Sequence, residues 1–238
     1  MNGAPLLSAK ATLRSGSGYV RVSTPGGTGE IPSEIVGFDI PTEDWEEYVI
    51  KSDFERFKAV VVGPGLGKTQ LARKAVINLL SATQIPTVVD ADALYAIGQQ
   101  SLDPSDFGDH VVLTPHDAEY EYLTGHRPQT NRILDVRETA AKLNTVILLK
   151  GSTTIISHPD GRCLLVNNGD QRLATAGTGD VLSGVIAGLL ARGVSPFEAA
   201  AAGAWIHAEA ANNCLAEGMI ASDIIRVLPE VLNAANVG

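Results

Sequence analysis

One segment, Ala174-Thr175-Ala176-Gly177-Thr178-Gly179-Asp180-Val181-Leu182-Ser183-Gly184, joins a glycine turn to a single carboxylate. Downstream, Val181, Leu182, Val185, Ile186, Leu189 and Leu190 recur at helical spacing, and Gly193 is placed to end the helix. Gly177-Thr178-Gly179 is therefore the expected N-terminal turn. Its free N–H groups and the positive end of the helix dipole make an anion site. Asp180 adds negative charge to that site, which leaves two readings. It is a helix-start aspartate favoured by the dipole, or a base that takes a proton beside a phosphoryl group in transit.

Four further clusters bear on this chemistry. Val62-Gly63-Pro64-Gly65-Leu66-Gly67-Lys68-Thr69 invites comparison with the phosphate loop of nucleotide hydrolases, but Val62 stands where that motif needs its first glycine. It reads either as an ordinary strand-to-helix turn or as one kept flat so that a ligand can lie on the backbone. Lys150, opening Lys150-Gly151-Ser152-Thr153-Thr154, is a solvated strand-end lysine or a point charge for nucleotide phosphates. His116 and Glu119 follow Thr114-Pro115; His116 caps a helix or meets substrate. Asp90 and Asp92 cap the next helix, position substrate, or orient a magnesium ion through water. His110, His126, His158 and His207 lack partner spacing and read as surface or packing residues. The sequence shows no metal-ligand cluster and no Ser or Cys nucleophile constellation.

The elements that must position these residues follow from continuous apolar runs. Ala59–Val62, Thr87–Val89, Val111–Leu113 and Val146–Leu149 lack alternation, as expected of strands covered on both faces. Helical patterns at Leu71–Ala82 and Ile133–Leu143 separate them, which implies βαβ crossovers and a mostly parallel sheet. Thr153–Ser157 and Arg162–Val166 flank a Pro-Asp-Gly turn and predict an antiparallel hairpin. Ser195-Pro196-Phe197-Glu198 has capping-box form and opens a helix expected to reach about Ala216. A last helix runs from near Ser222 to about Ala235, bent at Pro229. The polar clusters all sit at the carboxyl ends of strands, where open parallel sheets bind ligands.

Composition narrows the classes. The 238 residues suit one α/β domain over 1–238, and a net charge of −9 argues against a nucleic-acid or anionic-membrane surface. A 45% hydrophobic, 19% charged chain is globular, and with 5% aromatics and 24 glycines its core is built from small residues. Cys163 and Cys214 imply no disulfide framework and a reducing compartment. Without a run of roughly 20 apolar residues or a secretory start, the sequence leads us to expect a soluble, cytoplasmic protein.

Taken in order, Gly-Pro-Gly-Leu-Gly (63–67), Val-Asp-Ala-Asp-Ala-Leu (89–94), Thr-Pro-His (114–116), Leu-Lys-Gly (149–151) and Ala-Gly-Thr-Gly-Asp-Val-Leu-Ser-Gly (176–184) resemble the ADP-dependent NAD(P)H-hydrate dehydratases of the ribokinase-like superfamily. Residues 2–7 and 13–20 resemble that family's first substrate-side helix and strand, so the likeness covers nearly the whole chain. It implies a ribokinase-like three-layer sandwich that repairs the S epimer of hydrated NADH or NADPH. ADP, or ATP in eukaryotic members, phosphorylates the ring hydroxyl, and phosphate elimination restores the cofactor. It further implies Asp180 as base, with Ala4, Gly65, Gly67, His116 and Asp180 facing the hydrated cofactor. Lys150, Gly151, Ser152, Thr153, Thr154, Gly177, Thr178 and Gly179 would hold the nucleotide. Magnesium on the phosphates, a homotetramer and a separate epimerase partner are also implied.

Three departures stand out. Asp117-Ala118 replaces the family's Pro-Gly after His116, and Gly169-Asp170 replaces its Gly-Asn. The strand carrying Lys-Gly and Gly-Gly-Ser that normally precedes the first helix is absent, so the start at Met1 reads as a lost or misassigned strand. Two alternatives remain open from sequence: a hydroxymethylpyrimidine or hydroxyethylthiazole type of kinase, and a catalytically silent nucleotide-binding relative.

Overall fold

The computed structural model describes residues 3–27, 29–45, 47, 56–98 and 107–235; Asn2, which opens the first family-like segment, lies outside them. The order of elements is α1 (Gly3–Arg14), β1 (Arg21–Pro25), β2 (Val36–Ile40), β3 (Val60–Val62), α2 (Gln70–Ala82), β4 (Thr87–Val89), α3 (Asp92–Gly98), β5 (Val111–Leu113), α4 (Asp117–Thr124), α5 (Arg132–Leu143), β6 (Val146–Leu149), β7 (Thr154–Ser157), β8 (Cys163–Val166), a 3₁₀ turn (Gln171–Ala174), α6 (Thr178–Ala191), α7 (Pro196–Asn212) and α8 (Ala221–Ala235).

The main sheet has the spatial order β3-β4-β5-β6-β7-β8. Strands β3 to β6 are parallel, and the β7–β8 hairpin adds two antiparallel strands. Crossovers that all step in one direction put their helices on one face. Alternate strand residues confirm the layering. Val88, Val112, Val146 and Leu148 pack under α6, α7 and α8, whereas Val89, Val111, Leu113, Ile147 and Leu149 pack under α2 to α5. This is the ribokinase-like three-layer arrangement.

The first layer explains the scarcity of large residues. A side chain at Gly184 would strike the Ser8 backbone oxygen, and one at Gly188 would lie 2.5 Å from Ser15 Cβ. Helix α1 therefore lies backbone-close on α6. Thr12 Oγ1 fastens the pair by donating to the Gly184 carbonyl at 3.0 Å. Strands β1 and β2 form a separate parallel pair. A cavity of about 610 Å³ lies between β1 and β3, lined on its two sides by Arg21–Pro25 and Val60–Val62. Helix α1 is the first described element, and none of the described helices is long and apolar enough to cross a membrane.

Two local expectations need correction. Helix α7 stops at Asn212 rather than near Ala216, where the Asn213 side chain turns back to the Glu209 carbonyl. Ser195 makes no cap bond to the backbone; its hydroxyl donates to the Glu198 carboxylate at 2.7 Å. The paired capping box forms instead at His116 and Glu119, which open α4. Pro229 sits inside a continuous α8.

Candidate active site

The parallel ladder aligns the polar residues at the strands' carboxyl ends. Asp90 N donates to the Val62 carbonyl, Thr114 N to that of Val89 and Lys150 N to that of Pro115, at 3.1, 3.1 and 2.8 Å. Gly63, Asp90, Thr114 and Lys150 thus share one edge. At Gly63 the fit admits only glycine, since φ is +122° and a Cβ would overlap the Asp90 carbonyl.

The glycine-rich turn after β3 is fixed from the same edge. Gly65 and Gly67 have φ of +67° and +83°, a region in which glycine carries no steric penalty. Gly67 N–H donates to Asp92 Oδ2 at 2.8 Å. Asp92 therefore holds this turn through Oδ2.

Asp90 is 2% exposed, and its carboxylate accepts from Lys150 Nζ at 3.0 Å and Ser183 Oγ at 2.7 Å. Burial works against its charge, but Lys150 and the Ser183 hydroxyl hold its pKa below the usual range. Lys150 is only 21% exposed at its side chain and has a second carboxylate, Glu119, at 3.4 Å. Burial opposes the ammonium, yet these two carboxylates keep its pKa raised. The solvated-lysine reading is thereby excluded. Lys150 is a fixed cation, and its Nζ lies 3.7 Å from where a side chain on Gly179 would begin.

At the head of α6, Gly177 is the N-cap in the left-handed region, with φ of 89°. A side chain there would press on Leu7 of α1 at 2.7 Å. Leu7 thus brings α1 against the turn; Ala4, one helical turn earlier, is buried. Thr178 Oγ1 donates to the Leu173 and Thr175 carbonyls at 2.6 and 2.8 Å, closing the turn. Asp180 follows in the first turn of α6. Burial first, and then repulsion from Asp90, push its carboxyl up to about 6 despite Lys150. The carboxylate so tuned stands in the N-terminal turn of α6 beside the part-buried Lys150 ammonium, suited to accepting a proton while the turn receives an anion.

His116 does cap α4. Its Nδ1 accepts from Ala118 N and Glu119 N at 3.2 and 3.1 Å, and Glu119 Oε2 accepts from His116 N at 2.8 Å. A neutral ring with Nδ1 so occupied carries its proton on Nε2, which lies 3.5 Å from Glu119 Oε1 on a half-exposed side chain. Gly151, Ser152 and Thr154 line a small cavity with Gly169, Asp170 and His207; Thr153 is partly buried in the same turn.

The substituted positions have new tasks. Asp117 holds Arg132 through two bonds of 2.9 and 2.6 Å, which locks α4 to α5. Asp170 caps the 3₁₀ turn at Arg172 N and pairs with the Arg172 guanidinium, which reaches the Cys214 carbonyl at 3.2 Å. Two residues of this region lay beyond the sequence reading. Ser183 was read only as part of a motif, and no spacing links it to Asp90, 93 positions away. Arg132 Nη2 lies 3.4 Å from where a Gly151 side chain would begin, beside the Lys150–Thr154 turn.

A family model of NAD(P)H-hydrate dehydratases matches residues 1–230. The chain belongs to the NAD(P)H-hydrate dehydratase family. Within it, the chain is 36% identical to the ADP-dependent (S)-NAD(P)H-hydrate dehydratase of Neisseria meningitidis serogroup B, over 94% of this chain and 78% of that protein. It is equally 36% identical to the bifunctional NAD(P)H-hydrate repair enzyme Nnr of Moorella thermoacetica, over 98% of this chain but 47% of that one. The chain therefore spans about half the length of such bifunctional relatives. Among solved structures, the ADP/ATP-dependent NAD(P)H-hydrate dehydratase of Bacillus subtilis, co-crystallized with ATP/Mg2+ and soaked with CoA, superposes with a TM-score of 0.82 at 30% identity, covering 98% of this chain and 87% of that one.

Proposed function

We propose that this chain is a single-domain ADP-dependent dehydratase for the S epimer of hydrated NADH or NADPH. The observation that carries the reading is Asp180, held at about 6 in the anion turn next to buried Lys150. In the first step the ring hydroxyl gives its proton to Asp180 while its oxygen bonds to the terminal phosphorus of ADP and AMP departs. N–H groups from Gly177 to Gly179 and the Lys150 ammonium take up the transferring charge. In the second step the carbon–oxygen bond breaks, inorganic phosphate leaves and the neighbouring ring carbon loses a proton, restoring the dihydronicotinamide.

Ala4, the Gly65–Gly67 turn and His116 are assigned to the hydrated cofactor, His116 as an Nε2–H donor. Lys150 to Thr154, with Gly177, Thr178 and Gly179, are assigned to the nucleotide. Magnesium fits as an ion carried by the nucleotide. Among the described residues no group of three or more His, Cys, Asp or Glu side chains is placed to cage a metal, and magnesium commonly keeps several waters and binds substrate phosphates. Asp92, whose charge reaches Asp180, would orient those waters, while Asp90 stays bonded to Lys150 and Ser183. When bound, the ion would neutralise phosphate charge.

An epimerase is the expected functional partner, since the Moorella thermoacetica relative is a bifunctional NAD(P)H-hydrate repair enzyme. A homotetramer is the expected assembly, with the exposed Leu164 and Leu165 of edge strand β8 offering an apolar margin. The test is recovery of NADH absorbance from the S epimer of NADHX, with ADP and then ATP. The reading requires recovery with ADP; no recovery with either nucleotide from folded protein would end it. Asp180→Asn is expected to bind ADP normally and to lose about 10²–10⁴-fold in turnover.

A further inference from the structure

Arg132 opens α5 and extends its guanidinium to the β6–β7 turn. Its Nη2 lies 3.4 Å from where a side chain on Gly151 would begin, so the group stands over the Gly151 backbone. Nη1 and Nη2 donate to Asp117 Oδ2 and Oδ1 at 2.9 and 2.6 Å. That fork takes one hydrogen from each Nη. The Nε–H and the second hydrogen of each Nη donate to no acceptor among the described residues. The Arg132 side chain is 34% exposed and that of Asp117 49%, so a dissolved ligand can reach the pair.

The neighbouring charges ask for such a cation. Lys150 Nζ already lies between Asp90 at 3.0 Å and Glu119 at 3.4 Å, so the formal charge of that trio is negative. Asp180 and Asp92 add to it, since both act on the same field. A phosphate chain is therefore poorly held by Lys150 alone. Position then separates the two cations. Lys150 Nζ faces Gly179 of the anion turn, whereas Arg132 faces Gly151, one residue further along the β6–β7 turn. A chain whose terminal phosphorus sits in the α6 turn meets Arg132 with the phosphate behind it.

We propose that Arg132 binds the phosphate next to the one transferred, the α-phosphate of ADP, and that Asp117 holds its guanidinium in place for this. As the ring hydroxyl oxygen bonds to the β-phosphorus, the bond from that phosphorus to the bridging oxygen breaks. Its electron pair stays on the α-phosphate, which leaves as AMP, while the hydroxyl proton goes to Asp180. The charge gathered on the α-phosphate strengthens the bond from Arg132 as the reaction proceeds. This rests on the nucleotide-dependent reading above and adds a phosphate-binding residue and its positioning residue to it.

The test is calorimetric binding of ADP, AMP and adenosine to the wild type, Arg132→Met and Asp117→Asn, with NADHX turnover in parallel. The proposal expects Arg132→Met to weaken ADP and AMP alike, by about 10–100-fold, and to leave adenosine unchanged. It expects kcat to fall as well. Asp117→Asn is expected to give a smaller loss of the same pattern, and none when added to Arg132→Met, because Asp117 acts through Arg132. A penalty on ADP but not AMP, an equal penalty on adenosine, or additive losses in the double variant overturns it. Should Arg132→Met fail to fold, the guanidinium ¹⁵N resonances of Arg132 in the wild type decide. AMP must shift them and adenosine must not; no shift, or the same shift with both, overturns the proposal. A wild type that binds no adenine nucleotide overturns both this inference and the proposed function. NADHX turnover by a wild type whose ADP affinity is indifferent to Arg132 overturns this inference alone.

Discussion

Asp180 shows how far a single residue departs from its type. Its carboxyl is pushed up to about 6 from 3.8. A base must be deprotonated to act, so kcat/KM is expected to rise as pH passes through about 6 and to level off above it; a rate that falls over this interval would contradict the assignment. The same shift affects stability with a definite sign. Between 3.8 and about 6 the folded state binds more protons at this site than the unfolded chain, so stability falls as pH rises through that window. Asp180→Asn is thus expected to raise the melting temperature at pH 7 by about 2–4 °C for each kcal/mol relieved, with the gain vanishing below pH 4. A loss of both stability and activity would indicate a structural role only.

The buried pair of Lys150 and Asp90 makes the opposite prediction. Lys150→Met leaves the Asp90 carboxylate buried and unpaired, which is expected to cost about 3–5 kcal/mol in urea melts. Adding Asp90→Asn is expected to recover most of that stability while nucleotide binding stays impaired. None of this was legible in the sequence. Lys150 could be placed at a strand end, but its partner is 60 positions away, and only the ladder's register brings the two together. The cap reading of His116 holds, since it opens α4. The Ser195 motif failed because its hydroxyl found a stronger acceptor in Glu198 than in the backbone.

At the scale of elements, the readable signals were the ones with a physical period. Continuous apolar strands and amphipathic helices gave the main sheet and both helical layers, with most ends displaced by a residue or two and that of α7 by four. The β1–β2 pair was harder to read. Val36, Gly37, Phe38 and Asp39 of β2 are exposed, and Pro25 ends β1, so neither carries the buried pattern by which a strand is recognised. The close contact of α1 and α6 was also hidden, because Gly184 and Gly188 look like helix weaknesses until Ser8 and Ser15 are seen against them. Gly184→Val is expected to cost about 1–3 kcal/mol or more by overpacking. Since Leu7 on α1 abuts Gly177, it is also expected to weaken ADP binding. Gly193→Ala, at a position with open space around it and φ of +87°, is a control: it should cost stability through backbone strain alone and leave ADP affinity unchanged.

For the molecule as a whole, a net charge of −9 means that the long-range field repels an anionic dinucleotide and an anionic nucleotide alike. Attraction at the site comes from oriented N–H groups, Lys150 and the neighbouring Arg132, and acts within a Debye length of about 8 Å. Stopped-flow association of ADP is therefore expected to hold steady or quicken as salt is raised, the reverse of a basic funnel; steep slowing would reveal an attractive field that the charge sum does not contain. The central claim is that this acidic, small-residue scaffold carries out phosphoryl transfer onto a ring hydroxyl with Asp180 as base. The most direct measurement is phosphorus NMR of a reaction containing the S epimer of NADHX and ADP, with wild type and Asp180→Asn in parallel. The account predicts AMP, inorganic phosphate and NADH in equal amounts from the wild type, and none of the three from a variant that still binds ADP. NADH formed without cleavage of ADP, or formed at the wild-type rate by Asp180→Asn, would contradict it.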